Sequence, residues 1–137
     1  MCDDEGIQEN VPVQERTIAI IEDDASFRRA LERLMRVSGI EVRSFASAEE
    51  FLKSALTESW AGLILDLDLP GMSGLELVDH LRGSEALPPV IFITAQDDES
   101  LRERASIIPD TVYLRKPFVG VELLEKVRSL LNQSHPK

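Results

Sequence analysis

Residues 60–66 read Trp60-Ala61-Gly62-Leu63-Ile64-Leu65-Asp66, an apolar run that stops on a carboxylate. A run this short and this uniformly apolar predicts a strand buried on both faces, as in parallel sheets. Related runs lie on either side of it. Upstream, Thr17-Ile18-Ala19-Ile20-Ile21 is apolar and β-branched and leads straight into Glu22-Asp23-Asp24. Downstream, Pro89-Val90-Ile91-Phe92-Ile93 closes on Thr94, and Val112-Tyr113-Leu114 precedes Lys116-Pro117. Glu41-Val42-Arg43-Ser44-Phe45 alternates instead, which predicts a strand near a sheet edge.

Helical patterns separate these strands. Phe27, Ala30, Leu31, Leu34 and Met35 share one face, with arginines on the opposite, solvated face, and Gly39 ends the helix. Ser47 with Glu50 three places later forms a capping box ahead of Phe51, Leu52, Ala55 and Leu56. The breakers in Leu69-Pro70-Gly71-Met72-Ser73-Gly74 mark a loop, after which Leu75, Leu77, Val78 and Leu81 mark a third helix. Asp97 to Ile108 reads as a charged helix stopped by Pro109, and Val121, Leu123, Leu124, Val127, Leu130 and Leu131 mark the last one. Asp24 and Asp97 each stand just before a helix and read as caps. Strands and helices in strict alternation imply an α/β fold: a five-stranded parallel sheet with helices on both faces.

Composition narrows the function. At 137 residues the chain fits one domain with a real core, and 43% hydrophobic against 29% charged is ordinary for a globular fold. A net charge of -10 argues against broad nucleic-acid binding and against docking on anionic lipid. Cys2 is the only cysteine, so no intramolecular disulfide forms. Residues 1–16 are acidic with no apolar run, unlike a signal peptide, and no stretch is apolar enough to span a bilayer. These features fit a cytoplasmic protein with a flexible acidic tail over 1–16, one domain over 17–132 and a short tail over 133–137.

In doubly wound sheets the ligand site lies beyond the carboxyl ends of the strands. Those ends carry Glu22, Asp23 and Asp24, then Asp66 and Asp68, then Thr94, then Lys116. If the first and third strands are neighbours, their acids converge. Carboxylates held close repel one another, and a divalent cation relieves the repulsion. Oxygen-only ligands suit a hard ion, with Mg²⁺ favoured because it also takes phosphate oxygens. Neither His80 nor His135 has a nearby His or Cys, which argues against zinc. A carboxylate can also act as a nucleophile and form an acyl phosphate. Phosphoryl transfer needs positioning and charge neutralisation more than acid–base chemistry. Asp66 would accept the phosphoryl group, Lys116 would neutralise it and Thr94 would donate a hydrogen bond.

Four motifs in this order and spacing resemble the response-regulator receiver domains of two-component signalling. They are Ile20-Ile21-Glu22-Asp23-Asp24, Leu65-Asp66-Leu67-Asp68-Leu69-Pro70-Gly71-Met72-Ser73-Gly74, Ile93-Thr94-Ala95 and Tyr113-Leu114-Arg115-Lys116-Pro117-Phe118. The resemblance implies a flavodoxin-like (βα)5 fold with strand order 2-1-3-4-5. It implies Asp66 as phosphoacceptor, with Mg²⁺ held by Asp23, by Glu22 through water, by Asp66 and by the carbonyl of Asp68. It implies Thr94 and Lys116 as phosphoryl contacts, Tyr113 as an aromatic that changes rotamer with Thr94, and a cis bond at Lys116–Pro117. The partners implied are a histidine kinase or histidine phosphotransfer protein as donor, and a downstream protein or output domain as reader. A homodimer through the fourth helix and fifth strand is a further expectation. Some positions depart from the family pattern. Pro109-Asp110 stands where Gly-Ala is usual, Val119-Gly120 replaces the common acidic cap, and Asp68 adds a carboxylate. Asp68 and Gln96 match positions that tune dephosphorylation in the family.

Two other functions remain open at this level. Asp66-Leu67-Asp68 after an apolar strand also resembles the start of a haloacid-dehalogenase-type phosphatase, with the first Asp as nucleophile and the second as general acid. That reading leaves Glu22 and Asp23 without a job, and sustained hydrolysis of a phosphomonoester would favour it. The third is an interaction module that never needs phosphate.

Overall fold

The computed structural model describes residues 17–55, 60–83, 87–95, 99–108 and 111–134. The expectations for residues 1–16, Leu56, Gln96, Asp97, Pro109-Asp110 and His135 lie outside them. Strand β1 (Ile18–Ile21) leads to helix α1 (Ala25–Val37), β2 (Val42–Phe45) to α2 (Ala48–Ala55) and β3 (Gly62–Asp66) to α3 (Gly74–Gly83). Then β4 (Val90–Thr94) leads to α4 (Glu99–Ser106), and β5 (Thr111–Arg115) to α5 (Gly120–Ser134). The strands form one parallel sheet in the order β2-β1-β3-β4-β5. This is the doubly wound, flavodoxin-like arrangement expected, with the alternating β2 at an edge.

The period-two alternation of a strand divides the core into two layers. Ala19, Ile21, Leu63, Leu65, Val90 and Phe92 face α2, α3 and α4, where Phe51, Leu77, Leu81 and Ala105 cover them. Ile18, Ile20, Ile64, Ile91, Ile93 and Leu114 face α1 and α5, where Leu31, Met35, Leu123 and Val127 close the other side. All of β1, β3 and β4 is buried, which is why those strands are apolar throughout. Phe45, Phe51 and Trp60 meet edge-on or tilted beside β2. Among the described residues no helix is long and apolar enough to cross a membrane.

Local signals act where the sequence places them. Asp24 caps α1, its carboxylate accepting from the N–H groups of Ser26 and Phe27. Gly39 follows the end of α1 with φ +78°, a conformation that disfavours a side chain. Ser47 Oγ accepts from the Glu50 N–H, and Glu50 accepts in return from the Ala46 N–H. Ser73 and Glu76 form a second reciprocal box at the start of α3. At the start of α5 the Val119 carbonyl accepts from the N–H groups of Glu122 and Leu123, and the Val119 side chain is exposed.

Candidate functional site

The sheet register brings the acids together. Ile21 is the Cα partner of Leu65, so Glu22 and Asp66 leave neighbouring strands side by side. Ladder bonds continue past the strand ends and fix the loops. The Glu22 N–H donates to Phe45 O, Leu67 N–H to Ile93 O, and Lys116 N–H to Thr94 O. Glu22 and Asp66 are 1% and 2% exposed, while Asp23 faces solvent. Carboxylate oxygens of Glu22, Asp23 and Asp66 all lie within 4.8 Å of one another, near enough to share one cation.

Lys116 closes the cluster from β5. Its Nζ is 3.4 Å from Glu22 Oε1 and 3.4 Å from Asp66 Oδ2. Burial works against the ammonium, but the two carboxylates outweigh it and hold the lysine pKa above its ordinary value. Glu22 answers the opposite way. Burial, the largest cause, raises its pKa from the usual 4.5 to about 7. The Asp24 N–H bond opposes that rise, Asp66 adds to it and Lys116 offsets part. A buried acid that resists ionisation beside two others is what a bound divalent cation would relieve, so these residues fit Mg²⁺.

Thr94 is fully buried at the end of β4, and its hydroxyl donates to Asp68 Oδ2 at 2.8 Å. The Ala95 N–H donates to the same oxygen at 3.2 Å, and the Asp68 N–H donates to Asp66 Oδ1 at 2.8 Å. The Asp68 side chain is therefore turned toward β4, apart from the three acids that cluster. The Lys116–Pro117 peptide is cis. Asp66, Glu22, Asp23, Lys116, Asp68 and Thr94 thus form one connected constellation.

The sequence pattern described as the response regulator receiver domain matches residues 18–128. The chain belongs to this family. Nodulation protein W of Bradyrhizobium diazoefficiens is 40% identical over 110 residues, which cover 80% of this chain and 48% of that protein. The Francisella response regulator 1452 receiver domain superposes with a TM-score of 0.80 at 25% identity, covering 88% of this chain and 99% of that one. A response regulator receiver protein from Burkholderia phymatum gives a TM-score of 0.72 at 38% identity, covering 85% and 94%. The receiver domain spans about half the length of the curated relatives it matches.

Four further residues shape this receiver site without being legible as site residues in the sequence. Arg28, expected on a solvated face, instead donates from Nη1 to the Glu22 carbonyl at 2.8 Å and so braces the acidic loop. Helix side chains lean toward the N-terminus, which is the signal that would have aimed a first-turn arginine at this loop. Phe27 does pack on the α1–α5 layer, but its ring also meets Lys116 Nζ, 4.6 Å from the centroid. Glu49 accepts from the Met72 N–H, and that bond keeps its carboxyl below the usual range. Gly74 starts α3 against the end of β3. A Cβ there would come within 2.7 Å of the Asp66 carbonyl oxygen and 3.1 Å of Leu67 Cα. Both are backbone atoms that cannot swing aside. Gly74→Ala is expected to cost about 1–3 kcal/mol of stability, read as a lower urea midpoint at unchanged slope.

Tyr113 is half-buried on β5, and the Arg102 guanidinium of α4 lies 5.6 Å from its ring centroid. This contact joins the two elements expected to carry an output surface.

Proposed function

We propose that this receiver domain takes a phosphoryl group onto Asp66 with the help of Mg²⁺, and that the modification alters the α4–β5 surface read by a partner. The observation that carries this reading is the convergence on Asp66 of one ammonium and two further carboxylates. The Asp66 carboxylate attacks the phosphorus of a phosphohistidine or small acyl phosphate, the donor's P–N or P–O bond breaks, and an aspartyl phosphate forms. Glu22, Asp23, Asp66 and the Asp68 carbonyl would hold the metal, which when bound supplies charge neutralisation for the phosphoryl oxygens. Lys116 is already within reach of Asp66 and pairs with the new anion. Thr94 leaves Asp68 to donate to a phosphoryl oxygen, and Tyr113 follows it from its place under Arg102. The chain turns over no substrate of its own beyond this uptake and later loss.

Family membership supports a histidine kinase or histidine phosphotransfer protein as donor. It also supports a downstream protein or output domain as reader, a cytoplasmic setting and a possible homodimer. The phosphatase alternative needs Asp68 as proton donor at the phosphoryl group, whereas its carboxylate already accepts from Thr94 and Ala95. Incubation with acetyl phosphate and Mg²⁺ followed by intact mass tests the proposal. One added phosphoryl group is expected, and none after chelation with EDTA. No mass gain with Mg²⁺ present would sink it. Beryllofluoride should also shift the amide spectrum of α4 and β5, which a phosphate-independent module would not show.

A further inference from the structure

The contact between Phe27 and Lys116 has no part in the chemistry above. Phe27 lies in the first turn of α1, its N–H bonded to the capping carboxylate of Asp24. Its ring meets Phe118 edge-on, with centroids 5.9 Å apart and planes at 67°. The ring is thus held between the N-terminus of α1 and the loop after β5. Lys116 Nζ sits 4.6 Å from the ring centroid, within cation–π range.

Two carboxylate oxygens and one aromatic face therefore meet the ammonium. Both carboxylate contacts are 3.4 Å, at the long limit for a hydrogen bond, so they hold the lysine loosely. Lysine is a flexible point charge, and something must limit where its end group travels. The ring supplies an attractive surface with no anion on it. It fixes the ammonium without competing for it when a phosphoryl group arrives.

We propose that Phe27 is a positioning residue for phosphoryl uptake, holding the Lys116 ammonium beside Asp66 through the π face of its ring. The inference rests on the phosphoacceptor reading of Asp66. Simple packing on Phe118 would be served as well by leucine. Positioning through the ring quadrupole requires an aromatic, and this difference is measurable.

The test compares initial rates with acetyl phosphate and Mg²⁺ in wild type, Phe27→Leu, Phe27→Tyr and Phe27→Trp. Leucine is expected to slow uptake by roughly 5- to 30-fold, and tyrosine and tryptophan to stay within about twofold of wild type. Mg²⁺ affinity should change far less along the series than the uptake rate, because a phenyl ring offers no oxygen ligand to the metal. In NMR spectra without Mg²⁺ or phosphodonor, the Lys116 Cε protons should show an upfield ring-current shift. The shift should vanish in Phe27→Leu and persist with either aromatic. Wild-type rates in the leucine variant, or no ring-current shift in the wild type, would overturn the inference alone. If the leucine variant does not fold, slow uptake in the tyrosine and tryptophan variants overturns it instead. A wild-type protein that takes up no phosphoryl group while keeping the ring-current shift would overturn the phosphoacceptor reading and, with it, the role given to the ring.

Discussion

Asp66→Asn is expected to abolish phosphoryl uptake and, at the same time, to stabilise the fold above neutral pH. The amide keeps the size of the side chain and an oxygen that can accept from the Asp68 N–H. It lacks the anionic nucleophile, so no acyl phosphate forms. The stability change has two opposed parts. Lys116 loses one of its two carboxylate partners, but it is part-exposed and keeps Glu22, so this costs about 0–1 kcal/mol. Against that, a charged group only 2% exposed disappears, along with its repulsion of Glu22. Near pH 8, where Glu22 is ionised, relief of that repulsion outweighs the lost pairing. A net gain of about 1–2 kcal/mol is expected in urea unfolding near pH 8. Intact mass and the unfolding midpoint read the two halves separately. A phosphoryl mass on the variant would end Asp66's claim to the chemistry, and a lowered midpoint would mean that the Lys116 pairing outweighs the buried charge.

Stability is also expected to fall as pH rises through the Glu22 titration, and Mg²⁺ to restore it. In the unfolded chain Glu22 loses its proton near 4.5, whereas in the folded chain it keeps it up to about 7. Between those values the folded state binds more protons, so each step up in pH favours unfolding. The contribution is fully present below 4.5, declines across the window and is gone above about 7. Linkage puts the whole change at about 3 kcal/mol. A cation at Glu22, Asp23 and Asp66 favours their ionised forms, so Mg²⁺ should raise the melting temperature near pH 8 far more than near pH 5. Glu22→Gln should flatten the pH slope and weaken the Mg²⁺ response together. A variant that kept the wild-type slope would assign that slope to some other group.

The fold was legible because the sheet is built from runs that admit little else. β3 and β4 are apolar at every position before their polar ends, and a short apolar run between helical patterns has few homes outside a parallel sheet. Strand order was less accessible. That β1 lies beside β3 came from the resemblance, since no local pattern in Ile18–Ile21 names its neighbour. The acids and Lys116 were legible as a set because each ends a strand. What they were paired with was not. The Asp68 carboxylate meets Thr94 26 residues away in sequence, and Lys116 meets Glu22 across 94. Phe27 fits an apolar helix face so well that its second contact leaves no trace in the pattern. Gly74 reads as a loop breaker, although the space it leaves is what lets the Asp66 carbonyl sit against α3.

Thr94 has a single hydroxyl proton, and at rest it is given to Asp68. If Thr94 is the relay proposed above, that gift sets the noise floor of the circuit. A hydrogen bond to a charged acceptor is worth about 1.5–3 kcal/mol, so spontaneous departures are held to roughly one molecule in ten to one in a hundred or fewer. A population of such proteins idles quietly, and a true signal must exceed a threshold before it registers. One carboxylate two residues from Asp66 would then decide how loudly the system speaks when nothing has been said to it.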